Sequence, residues 1–335
     1  MTEPDTVRNE PRPNTSEPGI PDKPTGLAKG SWLAAGRRTL QEFKDDFLQD
    51  RAAALTYYSV LAIFPGILVL VSLLGLLGTS VTRPLVTNLT RAAPGAVQAI
   101  LGDAVRNLER THAAAGLLAI VGILLALWST SSYVSAFMRA ANAIYDVPEG
   151  RPAWKTLPIR LGVTLILMVV LVISAVIVVV TGGLARHVGQ VLGIGSAAVT
   201  AWDIAKWPVL FILVCLMIAV LYWASPNARQ GFRWISPGAV IAVVIWLIAS
   251  GLFALYAANF GHYNKVYGSI AAMIIFLIWL WISNIAILLG AEFNAELERG
   301  RAIAGGTPPD TEPFVEMRDT RKLRRGRRRA KKPAT

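Results

Sequence analysis

Charge is scarce in this chain. Only 16% of its 335 residues are Asp, Glu, Lys or Arg, and 54% are apolar, whereas a soluble domain carries about 25% charged residues. So little polar surface cannot cover a water-facing fold of this length. Cysteine is nearly absent too: Cys215 stands alone, closes no intrachain disulfide, and reads as a packing residue within an apolar run. The three histidines, His112, His187 and His262, are far apart in sequence, and all fall in loops expected on one side. No HExxH and no Cys/His cluster supplies metal-ligand spacing. The apolar runs also lack the grouped acids that would hold metals about 4 Å apart for hydrolysis. Catalytic residues, metals and cofactors are therefore not expected, and enzymatic activity is disfavoured. An ATP-binding motif is missing as well, so any movement of a solute would be passive or driven by an ion gradient or a partner. No aspartate or glutamate lies in mid-span, which argues against ion coupling.

Long apolar runs are what the chain has instead. Several exceed the roughly 18 residues that mark a bilayer-spanning helix. Spans are expected at about 53–78, 113–135, 161–183, 205–224, 237–257 and 268–290. The expected fold class is all-α: a polytopic membrane protein with about six transmembrane helices plus interfacial amphipathic helices. One amphipathic helix precedes the first span, where Trp32, Leu33, Leu40, Phe43, Phe47 and Leu48 recur at helical spacing among charged residues. Another lies in the loop 79–112, with Val97, Ile100, Leu101, Ala104, Val105 and Leu108 on one face. Residues 1–30 are proline-rich and polar, read as a disordered tail, and lack the apolar core of a cleavable signal. Residues 31–300 form the membrane domain, and 301–335 read as a basic, disordered tail.

Lysine and arginine set the expected orientation. With six spans, 26 of them fall on the side holding both chain ends and 7 on the other. By the positive-inside rule both ends lie in the cytoplasm. The run RKLRRGRRRAKK at 321–332 suits a polyanion. An anionic inner leaflet is worth about 1 kcal/mol per basic residue near its surface. Nucleic acid is disfavoured as a partner, because no aromatic residue is interleaved to stack on bases.

Four blocks of sequence resemble a known family. RAAALTYYSVLAIFPGILVL (51–70) is similar to its opening helix, and FMRAANAIYDVPEGRPAWKTLPIRL (137–161) to its loop between spans two and three. SPNARQGFRWISPGAVIAVVIW (225–246) is similar to the loop between spans four and five. YNKVYGSIAAMIIFLIWLWISNIAILLGAEFNAELER (263–299) resembles its last span and exit. On these residues the chain is identified as a member of the YihY/virulence factor BrkB family of bacterial inner-membrane proteins. The resemblance implies a cell-envelope role. It carries an old label of tRNA-processing ribonuclease that is regarded as mistaken, and no agreed activity.

Candidate functional residues follow from spacing. Arg139, Asn142 and Tyr145 recur every three residues and share a helical face just past the second span. Arg151 follows in the same loop, and arginine forks match phosphate oxygens. These four are expected to receive a headgroup from the inner leaflet; plain positive-inside anchoring is the competing reading. Pro65 and Pro237 are expected as flexible points. Glu292, just past the sixth span, is expected as a gate or structural tie, paired with an arginine of the 139–160 loop. Asp203 and Lys206 stand three residues apart at the far mouth of the fourth span. The expected function is movement of an envelope lipid or other amphiphile by a transporter or flippase-like protein. The alternative is a non-transporting membrane scaffold that recruits envelope-assembly proteins through its tails. A second copy of the chain or an envelope protein is the expected protein partner.

Overall fold

The computed structural model describes residues 24–76, 115–179, 196–259 and 264–324. Among these the chain is helical, with no strand and one isolated antiparallel bridge, Ala228–Met317. A short 3-10 turn (Pro24–Gly26) leads into seven helices: α1 (Lys29–Asp45), α2 (Leu48–Leu76), α3 (Ala115–Ile144), α4 (Ala153–Val179), α5 (Ser196–Ala224), α6 (Phe232–Asn259) and α7 (Asn264–Ala304). The expected amphipathic helix in 79–112 lies outside the described residues, as do the three histidines.

Five of the helices, α3 to α7, are long and apolar enough to cross a membrane. The first expected span, 53–78, falls on α2, which carries no charged residue from Ala52 to Leu76. The helices overrun the apolar segments because the backbone keeps its hydrogen bonds through the polar boundary at no cost. The 41 residues of α7 reach roughly 62 Å at 1.5 Å per residue, about twice the hydrocarbon thickness. Its part beyond Gly290 is rich in charge. Pro65, Pro158, Pro208 and Pro237 all sit inside uninterrupted helices.

Each of α2 to α7 packs against the next, and α7 closes back on α2, so the six form a ring. Contacts at one end fix the directions. The start of α2 lies near the end of α3, and Arg151 just before α4 binds the last carbonyl of α5. The start of α6 meets α7 at Gly238 and Gly290. There a Cβ on Gly290 would stand 2.5 Å from the Gly238 carbonyl oxygen and 2.6 Å from the Tyr222 hydroxyl, so both backbones need glycine to come this close. Toward the middle, Asn284 of α7 accepts a hydrogen bond from Tyr133 of α3 (3.0 Å) and donates to Thr56 of α2 (3.2 Å).

The core gathers at this same end, around Leu55, Val134, Phe137, Tyr222, Val243 and Leu288, with Phe137 and Tyr222 stacked at 6.0 Å. A polar platform continues it. α1 lies along the exit of α7, with Trp32 against Phe293 and Arg38 bonded to Glu296. Arg299 reaches Glu42 of α1 at 3.2 Å and Glu312 at 3.0 Å. Residues 301–324, expected as part of a disordered tail, are folded: Arg301–Ala304 continue α7, and 305–324 form a strap across the loops. Phe314 and Val315 are buried, and Asp319 pairs with Lys155 at 2.7 Å. The apolar pair and the paired acid give this stretch enough burial to order it.

Candidate functional site

The loops leaving α3 and α5 are tied in a hydrogen-bonded knot. The backbone turns out of α3 through Asp146, whose φ of 51° is left-handed, and Pro148 prevents the helix from continuing. This folds Glu149 back beneath Asn142, whose Nδ2 donates to Glu149 Oε2 at 3.0 Å. Arg151 grips the same carboxylate with both arms, Nε to Oε1 at 2.8 Å and Nη2 to Oε2 at 2.7 Å. The guanidinium then caps α5, donating to the carbonyls of Ala224 (3.3 Å) and Ser225 (2.7 Å), where the helix dipole favours a cation. The Asn227 backbone N–H donates to Asn142 Oδ1 at 2.7 Å, while its side chain donates to the carbonyls of Pro148 and Asp319. Gly150 completes the fit, because a Cβ there would run into the Asp319 carbonyl. Burial alone would raise the pKa of Glu149, but the bonds from Arg151 and Asn142 outweigh it and lower it.

Beside the knot lies a cleft of about 480 Å³, between the α1–α2 turn and the end of α3. Asp46, Arg139, Asn142, Asp146, Pro148 and Glu149 line it. Arg139 is exposed and donates to the carbonyl and hydroxyl of Ser135, both at 3.2 Å. Acids outnumber bases along the wall. The Asp146 carboxyl is pushed up to about 6 by burial and by repulsion from Glu312, Asp46 and Glu42. Asp46 is also raised, by burial first, against the pull of Arg51 and a hydrogen bond with Glu292. Glu292 stands behind Asp46, 1% exposed, and its Oε2 has no hydrogen-bond partner. The α1–α2 turn carries a second left-handed residue, Phe47, with φ 52°.

The residues singled out from sequence therefore divide. Arg139 and Asn142 meet at the cleft, but Asn142 is also committed to the knot. Tyr145 is buried, with Phe314 of the strap 6.2 Å from its ring. Arg151 is 3% exposed and saturated by Glu149 and the α5 carbonyls, so it faces the interior and not the cleft. The expected pairing of Glu292 with an arginine of the 139–160 loop does not form, since its neighbour is Asp46. Pro237 adjoins the tight Gly238 crossing, where Asn294 Oδ1 accepts the Gly238 N–H at 2.8 Å. Pro65 lies in α2, away from the cleft lining. Asp203 and Lys206 do pair, at 2.8 Å. Sequence reasoning missed Asp46, whose only signal was the break in apolar spacing between α1 and the first span. Among the described residues no group of three His, Cys, Asp or Glu is placed to hold a metal ion.

Comparison with known proteins places this architecture in a family of membrane proteins. The chain is 29% identical to the ribonuclease-like protein YfkH of Bacillus subtilis over 266 residues, covering 79% of this chain and 94% of that one. It is 29% identical to a UPF0761 membrane protein of Alkalilimnicola ehrlichii (81% of this chain, 60% of the relative). With one from Xanthomonas oryzae it shares 27% (79% and 61%). The chain thus spans about three fifths of the length of these two UPF0761 relatives. No solved structure matches it. The sequence model of the family described as virulence factor BrkB matches residues 39–313, and the chain belongs to that family.

Proposed function

We propose that the protein moves an amphiphile, an envelope lipid or a solute of similar build, across a bacterial inner membrane. The charged end and both chain ends then face the cytoplasm, in keeping with the lysine and arginine count, and the basic run at 321–332 rests on the anionic leaflet. The observation that carries the reading is the shallow, open cleft of about 480 Å³ at the end of α3, with Arg139 and Asn142 on its wall. It opens where α3, an apolar span, emerges, so a headgroup could enter while its chains stay in lipid. Arg139 is the basic group on its wall, and its bonds to Ser135 hold it within its own helix.

The test is lipid movement in liposomes containing the purified protein. Phospholipids with a fluorophore on one acyl chain are exposed to an impermeant quencher. We expect wild-type protein to raise the slow phase of quenching above protein-free liposomes, and Arg139→Ala to return it most of the way to that baseline. An unchanged rate in Arg139→Ala would remove the cleft from the pathway.

A second reading, a non-transporting scaffold for envelope assembly, is favoured by one surface. Leu33, Leu40 and Phe47, spaced by seven along α1 and the turn that follows, are 71%, 70% and 67% exposed. If they recruit an envelope protein, replacing all three with serine abolishes cellular function while lipid movement in liposomes stays unchanged.

A further inference from the structure

The sequence pointed to a basic receiving site for a phosphate, but the wall of the cleft has a different balance. Arg151 and Glu149 neutralise one another through a two-armed pair. Asp46 and Asp146 then stand with Arg139 on the open side, and Glu42 and Glu312 add repulsion from beyond the wall. Arg51 tempers Asp46 from behind, donating to its backbone carbonyl at 2.7 Å. Glu292, buried behind Asp46, shares a hydrogen bond with it, so a proton is held between these two carboxyl groups behind the wall and the other Asp46 lone pairs stay on the open side.

We propose that the cleft binds a zwitterionic lipid headgroup with a primary ammonium beside a phosphodiester. The ammonium lies against Asp46 and Asp146, and the phosphodiester against Arg139. This rests on the lipid-moving reading for its source of ligand, and it names the class of lipid.

Other ligands fit the same wall less well. A purely anionic headgroup gains Arg139 but meets two carboxylates that nothing on the open side neutralises. A bare divalent cation finds no cluster of three acids, histidines or cysteines among the described residues and is repelled by Arg139. A quaternary ammonium has no N–H to donate, and the lining contains no aromatic ring to offer the cation–π contact that such groups use. A primary ammonium has three donors, enough to reach both aspartates. The remaining lining, Ala143, Val147 and Pro148, offers apolar surface where the glycerol and upper chains would pass.

The experiment has two arms on the full-length protein. In the first, liposomes contain trace phosphatidylethanolamine, phosphatidylcholine or phosphatidylglycerol, each labelled on an acyl chain so that the headgroup is intact, and their movement is compared. In the second, the same three unlabelled lipids compete for the detergent-purified protein and retained lipid is measured by native mass spectrometry. We expect phosphatidylethanolamine to be moved fastest and retained best. Asp146→Asn should lower that preference about fivefold, as expected for one partly exposed charge-assisted contact, and Asp146→Glu should restore it. Circular dichroism melts of the variants check that the fold is intact, and Asp46→Asn gives an independent second substitution in the same wall. Equal movement and equal retention of all three lipids would overturn the headgroup assignment while leaving the transport reading in place. Preferential retention of phosphatidylethanolamine without movement of any lipid would keep the assignment and overturn transport. Retention of phosphatidylglycerol above the other two would reverse the charge argument and overturn it.

Discussion

The middle of the helix ring and the platform at its charged end solve opposite problems. Along the spans only 17% to 33% of residues are buried, and large side chains such as Trp128, Ile212 and Leu252 point outward. Lipid tails accept them as readily as a protein core would, so the middle needs no dense interior and is joined by a few polar contacts, such as those of Asn284 with Tyr133 and Thr56. The platform has no such solvent. Glu296 and Glu298 are buried there, and each is matched by arginine, Glu296 by Arg38 and Arg299 and Glu298 by Arg301, because charges taken from water need partners. The same chain is thus sparsely tied where it meets lipid and densely tied where it meets water.

Arg151→Ala tests that contrast most severely. It leaves Glu149 without its guanidinium and the α5 carbonyls without their cap. Removing one partner of a buried pair costs about 3–5 kcal/mol. We expect a large fall in the melting temperature of the detergent-purified protein, read by circular dichroism. Arg151→Lys should recover only part of it, because a single ammonium cannot reproduce the two-armed grip. A small loss would mean that water replaces the arginine and that the platform is looser than its hydrogen bonds suggest.

Asn284→Ala makes the matching cut in the ring. It removes the contacts to Tyr133 and Thr56, yet a polar contact between spans is worth about 0.6 kcal/mol on average and rarely above about 1.7. Chains unfolded within a bilayer find other partners, which lowers the net value. The melting temperature should fall by a fraction of the Arg151→Ala shift. Equal shifts for the two variants would erase the distinction between the regions.

The contrast also explains what could be read from sequence. Apolar runs report lipid directly, so six spans were legible from residue type, and α3 to α7 follow them with longer ends. The amphipathic spacing through α1 into α2 was legible in part: Trp32, Phe43 and Leu48 turn inward, whereas Leu33, Leu40 and Phe47 of the same expected set are exposed. The platform was not. Arg139 and Arg151 look alike in sequence, and only the fold of 146–151 decides that one is capped by Glu149 and the other faces a cleft. The strap was hidden because Phe314, Val315 and Asp319 are few among polar neighbours, and their partners lie far away in sequence. Asp46 gained its place only when α1 folded back onto α7.

Protonation of Asp146 gives a gentler probe of the platform. Its folded pKa, about 6, lies above the ordinary carboxylate value, so the folded state holds the proton more tightly than the unfolded chain. The associated stabilisation is full below the unfolded pKa, near 4, and is lost as pH rises through about 6. The side chain is exposed, so solvent screens much of the effect. Asp146→Asn should flatten that part of the dependence of melting temperature on pH between 4 and 7, leaving the slope due to other groups. An unaltered slope would show that neither burial nor the neighbouring carboxylates raise its pKa.

Phe47 gives the smallest effect and separates two roles for one residue. A left-handed φ of 52° is strained for any side chain with a Cβ, by roughly 1–2 kcal/mol, and the ring is exposed, so little packing is lost when it goes. Glycine relieves the strain but has more freedom to lose on folding, which takes back about 0.5–1 kcal/mol. Phe47→Gly is therefore expected to raise stability by about 0.5 kcal/mol, a degree or two in a detergent melt. The strain persists in the natural chain, at the turn that carries Asp46 to the cleft, so the ring or the turn has a use outside folding. If the ring grips a partner or the lipid surface beside the cleft, the variant melts higher while lipid movement or partner capture falls. If both fall together, the ring is packing material after all, and the turn belongs with the densely tied platform.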